Sequence, residues 1–456
     1  MNRFVTGFSA LYALLLAFMA YGIQREQFVL LTGAFTLMFV LMAALYYRSD
    51  PDTSPAVWIA TGMMLRMIVL FAVPALSEDY YRFIWDGMLT GYGINPFAYT
   101  PAQIIDSGIQ LPAVATLLAS NMNSPEYYSI YPAVCQGVYA ASWFIAGESI
   151  FWNIVVIRLF ILSAEAATLI LMRKIIISYG LDGRNMIWYA LNPIVVLELT
   201  GNLHFEALMI CFLIFTFWLF RSGRIYTAAL TFALAVQVKL VPLILIPWIF
   251  FRLGFRDGLK WTLVTGVIVA ALFIPFLSDS VLSNFSDSLA LYFRTFEFNA
   301  GLYFVIREIG YWVKGYNIIA SLGPAMAIAG TVSIIALSVY LNYIHRSGFA
   351  IAIVLILTAH LFFSTTVHPW YITTIIAFSV FTGLQYPVVW SVFLPLSYHA
   401  YSQYPYEESV PLVIFVYCCV ISIILYDYIV YREKGNFKNT AAVDEESLAD
   451  NRLQGN

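Results

Sequence analysis

The residues best suited to chemistry lie in a short polar run that begins at Ser77. Two adjacent carboxylates, Glu78 and Asp79, are followed by Arg82 and Asp86. Positions three or four apart share one face of a helix, so Asp79, Arg82 and Asp86 would point the same way. A carboxylate beside a positive charge and aromatic side chains can act as a general base that takes the proton of a hydroxyl group. The alternative is that Glu78 and Asp79 only cap a helix and interact with its dipole.

The chain that must position these residues is strongly apolar. Of its 456 residues, 61% are hydrophobic and 11% are charged, whereas an average soluble domain is about 45–50% apolar and about 25% charged. The apolar residues are spread over the whole length, which predicts a membrane protein with many spans. The net charge of −3 argues against a nucleic-acid partner, which needs a basic surface. The four cysteines show no CxxC spacing and are interpreted as small core residues.

A helix needs about 20 apolar residues to cross the hydrocarbon core of a membrane, and by this measure we predict an all-α polytopic protein with about 12–14 spans. The shorter segments near Lys239, Pro242 and Pro387 are expected to be broken or re-entrant. The first segment is interpreted as a span, because it is long for a signal peptide and lacks a cleavage site. The candidate spans are residues 4–23, 28–47, 56–76, 151–172, 186–201, 205–221, 226–238, 240–252, 259–277, 317–344, 349–365, 370–385, 387–400 and 411–431.

The distribution of charged residues predicts the orientation in the membrane. Lys and Arg are enriched in cytoplasmic loops, and with the N-terminus inside, one set of loops collects most of the Lys and Arg residues while the other collects the carboxylates. This arrangement requires residues 132–147 to dip into the outer face or to lie on it. We therefore expect an integral protein of the plasma (inner) membrane with both termini in the cytoplasm and the acidic pair on the extracytoplasmic side.

Two external loops are too long to be simple connectors. The first spans residues 77–150 and the second residues 278–316, and both are expected to carry membrane-lying helices. Loops of this length are usually functional or disordered, and their Trp, Tyr, Phe, Gly and Pro content favours order. Residues 1–431 are thus predicted to form a single transmembrane domain, and the polar residues 432–456 a disordered cytoplasmic tail.

The first external loop resembles a known group of enzymes. Its run SEDYYRFIWDGMLTGYGINPFAYTP resembles the first external loop of GT-C glycosyltransferases, in particular polytopic mannosyltransferases that use polyprenyl-phosphate-linked sugars. Later runs resemble further motifs of these enzymes in the expected order: NSPEYYSIYPAV, YALNPIVVLELTGNLHFEALM, FNAGLYF and VHPWY. The first motif is long and specific, whereas the later ones are individually weak. The chain departs from the family pattern at Glu78, where aspartate is common.

The resemblance implies a GT-C-like fold and an inverting sugar transfer. The donor would be a polyprenyl-phosphate-linked sugar, predicted to be mannose, and the acceptor a glycan, a lipid or a protein. An acidic residue of the first external loop would be the base, which assigns this role to Asp79, with Glu78 second. The alternatives are a transporter or flippase of lipid-linked sugars and a ligase or polymerase of cell-surface polysaccharide. Transporters often consist of two similar halves, and the sequence shows no such repeat.

A polyprenyl phosphate is an anion at the membrane interface, so its site needs cations or helix N-termini at that depth. We expect Arg82, Lys239, Arg294 and Arg307 to contact the donor phosphate or substrate, with Asp86 beside them. Lys239 interrupts an apolar run, and an ionisable residue within a span is functional by default, although its side chain could also snorkel to the interface. Arg294 and Arg307 flank the FNAGLYF run.

Two histidines are further candidates for substrate binding. We expect His204 to form a hydrogen bond with sugar or phosphate, and His368 and Tyr371 to lie where a helix opens at the outer face. Trp370 between them is interpreted as an interfacial anchor. His204 and Glu206, without a second histidine nearby, are a weak metal signal. The sequence therefore predicts no cofactor and no metal ligand, and leaves a requirement for a divalent metal open.

Three charged residues fall inside predicted spans: Arg66, Arg158 and Glu165. Buried charges must pair, because an isolated charge in an apolar medium is costly. A structural pair, either Arg66 with Glu165 or Arg158 with Glu165, is favoured over a contact with substrate.

Overall fold

The computed structural model describes residues 3–344 and 347–434, and it is built from helices. Within these residues the extended pairing amounts to one isolated parallel bridge, between Phe298 and Thr366. The first three helices are α1 (Arg3–Gly22), α2 (Phe28–Arg48) and α3 (Pro55–Ile68). The first loop, which is predicted to be external, carries α4 (Asp79–Gly91), α5 (Pro101–Asp106), α6 (Val114–Asn121) and α7 (Ala133–Ala146).

The central part of the chain alternates long helices with short ones. It contains α8 (Ile150–Ser178), α9 (Ile187–Ala190), a π-helical turn (Val195–Gly201), α10 (Glu206–Arg221), α11 (Ile225–Val236), α12 (Ile246–Leu253) and α13 (Phe255–Phe273). The second loop, which is also predicted to be external, carries α14 (Val281–Thr295) and α15 (Gly301–Lys314). The last group is α16 (Ile319–Tyr343), α17 (Phe349–Phe362), α18 (Thr373–Ser379), α19 (Tyr386–Phe393) and α20 (Val410–Lys434). Short 3-10 segments link these helices at Gly183–Met186, Val241–Leu245, Ile274–Phe276, Pro369–Ile372 and Leu394–Ser402.

The helices confirm a polytopic membrane protein. In the described part of the chain, six helical segments are long and apolar enough to cross a membrane: Val5–Gly22, Phe28–Arg48, Ile150–Ser178, Phe255–Phe276, Ile319–Tyr343 and Val410–Val430. The π-helical turn and α10 would together pass as a further span, but they are bent by 111°. Because the other predicted segments are short or broken helices, the count of about 12–14 spans stays a prediction.

Several boundaries agree with the sequence analysis. Helix α7 has 14 residues, fewer than the roughly 20 that a span needs, as expected of a segment that does not cross the membrane. Lys239 lies in the break between α11 and the 3-10 segment Val241–Leu245. Helix α20 continues to Lys434, three residues beyond the predicted end of the transmembrane domain. The rest of the predicted tail lies outside the described residues.

The charged side chains buried within the helices are held by protein partners. The Nε atom of Arg66 donates to Oε2 of Glu165 at 2.7 Å, and the hydroxyl of Tyr189 donates to Oε1 of Glu165 at 2.6 Å. The structural pair between Arg66 and Glu165 is therefore confirmed. Arg158 instead donates to backbone carbonyls, those of Leu70 at 2.7 Å and Thr200 and Gly201 at 2.8 Å. It thereby ties the end of the π-helical turn to the segment that follows α3.

Helix α4, which begins at Asp79, packs closely on α7. A Cβ atom on Gly87 would lie 2.3 Å from the backbone oxygen of Tyr139, and one on Gly91 would lie 2.5 Å from the ring of Trp143. These glycines are four residues apart on one face of α4, the small-residue spacing that lets helix backbones approach in membranes. The close packing fixes the direction in which α4 presents its N-terminus.

The first and second loops are joined to each other and to the C-terminal part of the chain. The amide of Asn95 donates to the carbonyl of Phe276 at 2.7 Å, and the backbone N–H of Tyr128 donates to Oγ of Ser288 at 3.1 Å. The bridge at Phe298 then attaches the second loop to the segment before Pro369–Ile372, since the N–H of Val367 donates to the carbonyl of Phe298 at 2.8 Å. Three segments distant in sequence thus meet at one end of the helical core.

Candidate active site

Asp79 is the first residue of α4, and 30% of its side chain is exposed. The hydroxyl of Ser77 accepts a hydrogen bond from the Asp79 backbone N–H at 3.3 Å. The neighbouring carboxylate, Glu78, forms an ion pair with Arg25, whose Nη2 atom lies 2.7 Å from Oε1. Arg25 also lies over the ring of Tyr401, 4.7 Å from its centroid. The structure therefore separates the two acidic residues: Glu78 is engaged by Arg25, and Asp79 faces another group.

That group is His204, which lies in the turn between the π-helical turn and α10. Its Nε2 atom is 3.9 Å from Oδ2 of Asp79, beyond hydrogen-bond distance. The preceding residue, Leu203, has a φ of 64°, in the left-handed region that residues other than glycine rarely adopt. Only 3% of His204 is exposed. The tight turn thus places a buried imidazole beside the partly exposed carboxylate of Asp79.

Glu198, in the π-helical turn, contacts the Nδ1 atom of His204, on the side of the ring that faces away from Asp79. The Nδ1 atom of His204 lies 2.8 Å from the backbone oxygen of Glu198 and 3.3 Å from its Oε2. The hydroxyl of Tyr398 donates to Oε1 of Glu198, and the amide of Asn202 donates to Oε2 at 3.3 Å. The Asn202 oxygen in turn accepts from the N–H of Leu76, just before the acidic pair, at 3.2 Å.

A stack of four rings extends from His204 into the second loop. The ring centroids of His204 and Trp370 are 3.7 Å apart, and those of Trp370 and His368 are 4.3 Å apart. His368 continues the stack onto Phe298, with centroids 4.7 Å apart. The interpretation of Trp370 as an interfacial anchor misses this role, because Trp370 lies between two imidazoles.

Lys239 lies at the same end of the protein. Its ammonium group forms an ion pair with Glu206, the first residue of α10, and lies 3.8 Å from the centroid of the Tyr371 ring. A cation over an aromatic face is stabilised by the quadrupole of the ring. About a third of the Lys239 side chain, 31%, stays exposed. Lys239 is therefore a cation that is fixed by Glu206 and Tyr371 but remains accessible.

The surroundings of Asp79 change its acidity. Although part of its side chain is accessible, the groups around it displace most of the water, and this desolvation raises the pKa of Asp79 above the ordinary 3.8. The charges of His204 and Lys239 lower the pKa, and those of Glu206 and Glu78 raise it. The net direction is upward, which makes the carboxylate a better proton acceptor once it is ionised.

Arg82 and Asp86, predicted to lie beside Asp79, are buried and bound to each other. The Nε atom of Arg82 donates to Oδ1 of Asp86 at 2.9 Å, and its Nη1 atom donates to the carbonyl of Tyr127 at 2.9 Å. Asp86 also accepts from the hydroxyl of Ser129 and from the amide of Gln136. Both residues thereby fasten the later part of the first loop to α4.

The second-loop cations lie elsewhere or are not described. Arg307 forms ion pairs with Glu297 and Glu308, each at 2.8 Å, so the structure places it among carboxylates of its own loop. The side chain of Arg294 lies outside the described residues. Of the predicted binding residues, the structure brings together His204, His368, Tyr371 and Lys239 with Asp79.

Sequence reasoning missed three contributors to the site: Arg25, Glu198 and the stacking role of Trp370. Arg25 is the cation of the short segment between α1 and α2, where it stands between Gln24 and Glu26, and this run carries no motif. Glu198 stands six residues before His204, a spacing that only the sharp bend after the π-helical turn converts into contact.

Among the described residues, no group of three or more His, Cys, Asp or Glu side chains is arranged to hold a metal ion.

The N-terminal half of the chain matches a known protein family. The family model described as alpha-(1->6)-mannopyranosyltransferase, N-terminal domain, matches residues 7–253, more than half of the chain. The matched region includes Asp79, Glu198, His204 and Lys239. The second loop and Trp370 lie outside the matched region.

Two curated relatives are similar to this chain over a shorter stretch. Alpha-(1->6)-mannopyranosyltransferase B of Corynebacterium glutamicum is 24% identical over 213 residues, which cover 43% of this chain and 34% of the relative. Alpha-(1->6)-mannopyranosyltransferase A of Mycobacterium tuberculosis is 24% identical over 197 residues, which cover 42% of this chain and 37% of the relative. The aligned stretch thus spans about a third of the length of each relative. No solved structure matches the chain.

Proposed function

Because the chain belongs to the alpha-(1->6)-mannopyranosyltransferase family, we propose that it is a membrane mannosyltransferase that uses a polyprenyl-phosphate-linked donor. The acceptor is a hydroxyl group of a glycan, a lipid or a protein on the extracytoplasmic side. The observation that carries the proposal is the arrangement of the acidic pair. Glu78 is bound to Arg25, whereas Asp79 is partly exposed and faces His204 at 3.9 Å. One carboxylate is thereby left for proton transfer.

The proposed reaction is a single displacement at the anomeric carbon. The acceptor oxygen forms a bond to this carbon while the bond from carbon to phosphate oxygen breaks, and the polyprenyl phosphate leaves with the bonding electron pair. Asp79 takes the proton of the acceptor hydroxyl as the new bond forms. Since the acceptor attacks from the face opposite the leaving phosphate, the configuration at the anomeric carbon inverts. Positioned proton transfer of this kind accelerates reactions by roughly 10²–10⁴-fold.

The negative charge of the leaving phosphate has to be stabilised by a cation that is already in place at the site. Lys239 supports this role because it is held by Glu206 and Tyr371 yet keeps an accessible ammonium group. Charge-assisted hydrogen bonds to phosphate are about twice as strong as neutral ones. His204 and Tyr371 line the same region and would contact sugar or phosphate.

The remaining predicted contacts stay predictions. Arg82, Asp86 and Arg307 use their charged groups on protein partners, which favours a role in shaping the two loops. His368 contributes through its stack with Trp370. The extracytoplasmic location of the site rests on the distribution of Lys and Arg among the loops.

The test of this function is donor cleavage by the purified protein. Short-chain polyprenyl-phosphate mannose and polyprenyl-phosphate glucose are each incubated with the protein and a mannoside acceptor, and release of polyprenyl phosphate is followed. We expect release with the mannose donor, dependent on acceptor, and a product of inverted configuration by NMR. Absence of release with either donor, together with movement of intact donor across vesicles that contain the protein, would instead favour a flippase.

A further inference from the structure

Glu198 has no role in the transfer as described, yet it is a fully buried carboxylate that contacts three side chains beside the site. It accepts from Tyr398 and Asn202 and contacts Nδ1 of His204. An Nδ1 atom that faces two acceptors, the backbone and side-chain oxygens of Glu198, must carry a proton. The Nε2 atom is then the one directed at Asp79, and within the described residues it has no hydrogen-bond partner.

From these contacts we propose that Glu198 is a positioning residue that holds His204 as an imidazolium beside Asp79, and that this charge keeps Asp79 ionised for the base role. The inference rests on the proposed function, because it assigns Asp79 the role of base. A buried carboxylate on one side of an imidazole stabilises its positive charge, and the charged ring on the other side stabilises a second carboxylate. The buried Glu198 thus acts through His204 on Asp79, the carboxylate that is partly exposed.

The two histidines of the ring stack provide an internal comparison. His204 and His368 lie on opposite faces of Trp370. Burial, with the charges of Lys239 and His204, lowers the pKa of His368 to about 3. Burial also acts to lower the pKa of His204, but the hydrogen bond and charge of Glu198, followed by the charges of Asp79 and Glu206, raise it above the ordinary 6.5. The carboxylate partner therefore distinguishes the two rings.

The charged groups around this arrangement are few enough to name. Glu198 from the π-helical turn, Asp79 from α4 and Glu206 from α10 face His204, and His368 lies beyond Trp370. Asp79 is faced by His204, Glu206, Lys239 and Glu78. Since Glu78 is paired with Arg25 and Glu206 with Lys239, the charge whose removal changes His204 most directly is that of Glu198.

The experiment is the pH dependence of kcat/KM for the wild type and for Glu198→Gln with the polyprenyl-phosphate mannose donor. The Gln variant keeps a hydrogen-bonding side chain of the same shape but removes the charge, so His204 loses its proton. Without the neighbouring charge, the midpoint of the acidic limb should move to higher pH by about 1–3 units, the usual effect of an opposite charge at this distance. His204→Gln should give the same shift, and the double variant no more than either one.

Two further variants make the outcome decisive. Tyr398→Phe removes one hydrogen bond to Glu198 but no charge, so the midpoint should not move. Glu198→Asp keeps the charge, and it serves if the Gln variant does not fold; its midpoint should stay near that of the wild type. A Glu198→Gln variant that is slower at every pH with an unmoved midpoint would overturn the inference, as would an Asp variant that shifts as far as His204→Gln. A wild type without activity on any such donor would instead refute the proposed function.

Discussion

Nε2 of His204 lies 3.9 Å from Oδ2 of Asp79, and the two residues are brought together by a sharp turn after a π-helical segment and by the start of α4. The distance is too long for a hydrogen bond but short enough for strong electrostatic coupling. It leaves the carboxylate available to an incoming hydroxyl group. The proposed role of Asp79 as the base depends on this pair.

The first prediction concerns the pH dependence of the wild type. The base must be ionised, so kcat/KM should rise with pH through the pKa of Asp79 and then level off. Because desolvation raises this pKa above the ordinary 3.8, the midpoint of the rise should lie above that value. Initial rates measured between about pH 4 and 8 at constant ionic strength report the free enzyme. A midpoint at or below the ordinary carboxyl value would contradict the assignment.

The second prediction concerns Lys239 and the donor phosphate. Lys239→Met should raise KM for the donor on the order of 10–100-fold, since a hydrogen bond to a charged group contributes about 1.5–3 kcal/mol. KM for the acceptor should change little. Because the substitution leaves Glu206 without its cation, the matched control is Lys239→Met combined with Glu206→Gln. If donor KM in the double variant returned to the wild-type value, Lys239 would act only by neutralising Glu206.

The third prediction concerns the contact between α4 and α7. Gly87→Ala places a Cβ atom 2.3 Å from a backbone oxygen of α7, so the helices must separate. Overpacking of this kind costs about 1–3 kcal/mol, and the melting temperature in detergent should fall together with activity. Gly137→Ala on α7 is the control, since its Cβ atom meets nothing within 4 Å. Equal melting temperatures for the two variants would show that the contact between α4 and α7 does not contribute to stability.

The fourth prediction concerns the buried ion pair between Arg66 and Glu165. Arg66→Met leaves Glu165 buried without its cation, and the protein should lose about 3–5 kcal/mol of stability. Adding Glu165→Met should recover most of the loss, because an apolar pair of similar volume replaces the charges. Thermal unfolding of the three variants in one detergent measures this. A double variant less stable than Arg66→Met would mean that the pair itself, and not the orphaned charge, carries the stability.

The parts of the fold that could be predicted are those that depend only on the composition of a short segment. Apolar segments such as Phe28–Arg48 and Val410–Val430 coincide with predicted spans, because length and composition alone decide whether a helix suits a membrane. The pairing of Arg66 with Glu165 was one of two options, and it followed from the cost of burying a lone charge. The resemblance to mannosyltransferases is confirmed by the family match, which includes the first loop.

The rest of the site depends on contacts between distant segments. Arg25 and Glu78 are 53 positions apart and Tyr398 and Glu198 are 200 positions apart, and no local pattern indicates that they meet. The composition of the VHPWY run suggested an interfacial anchor for Trp370, whereas its stack on His204 depends on how the second loop is attached through Phe298. Local spacing likewise placed Asp79, Arg82 and Asp86 on one helix face, but it could not show that Arg82 forms its ion pair with Asp86.

The most direct test of the account is the turnover of Asp79→Asn with polyprenyl-phosphate mannose, set beside Glu78→Gln. Asparagine preserves the shape of the side chain but cannot accept the proton, so the rate should fall by roughly 10²–10⁴-fold while the melting temperature stays close to that of the wild type. Glu78→Gln, which removes the partner of Arg25, should lose far less. Near-normal turnover by Asp79→Asn, or a loss in Glu78→Gln as large as that in Asp79→Asn, would contradict the assignment of Asp79 as the base.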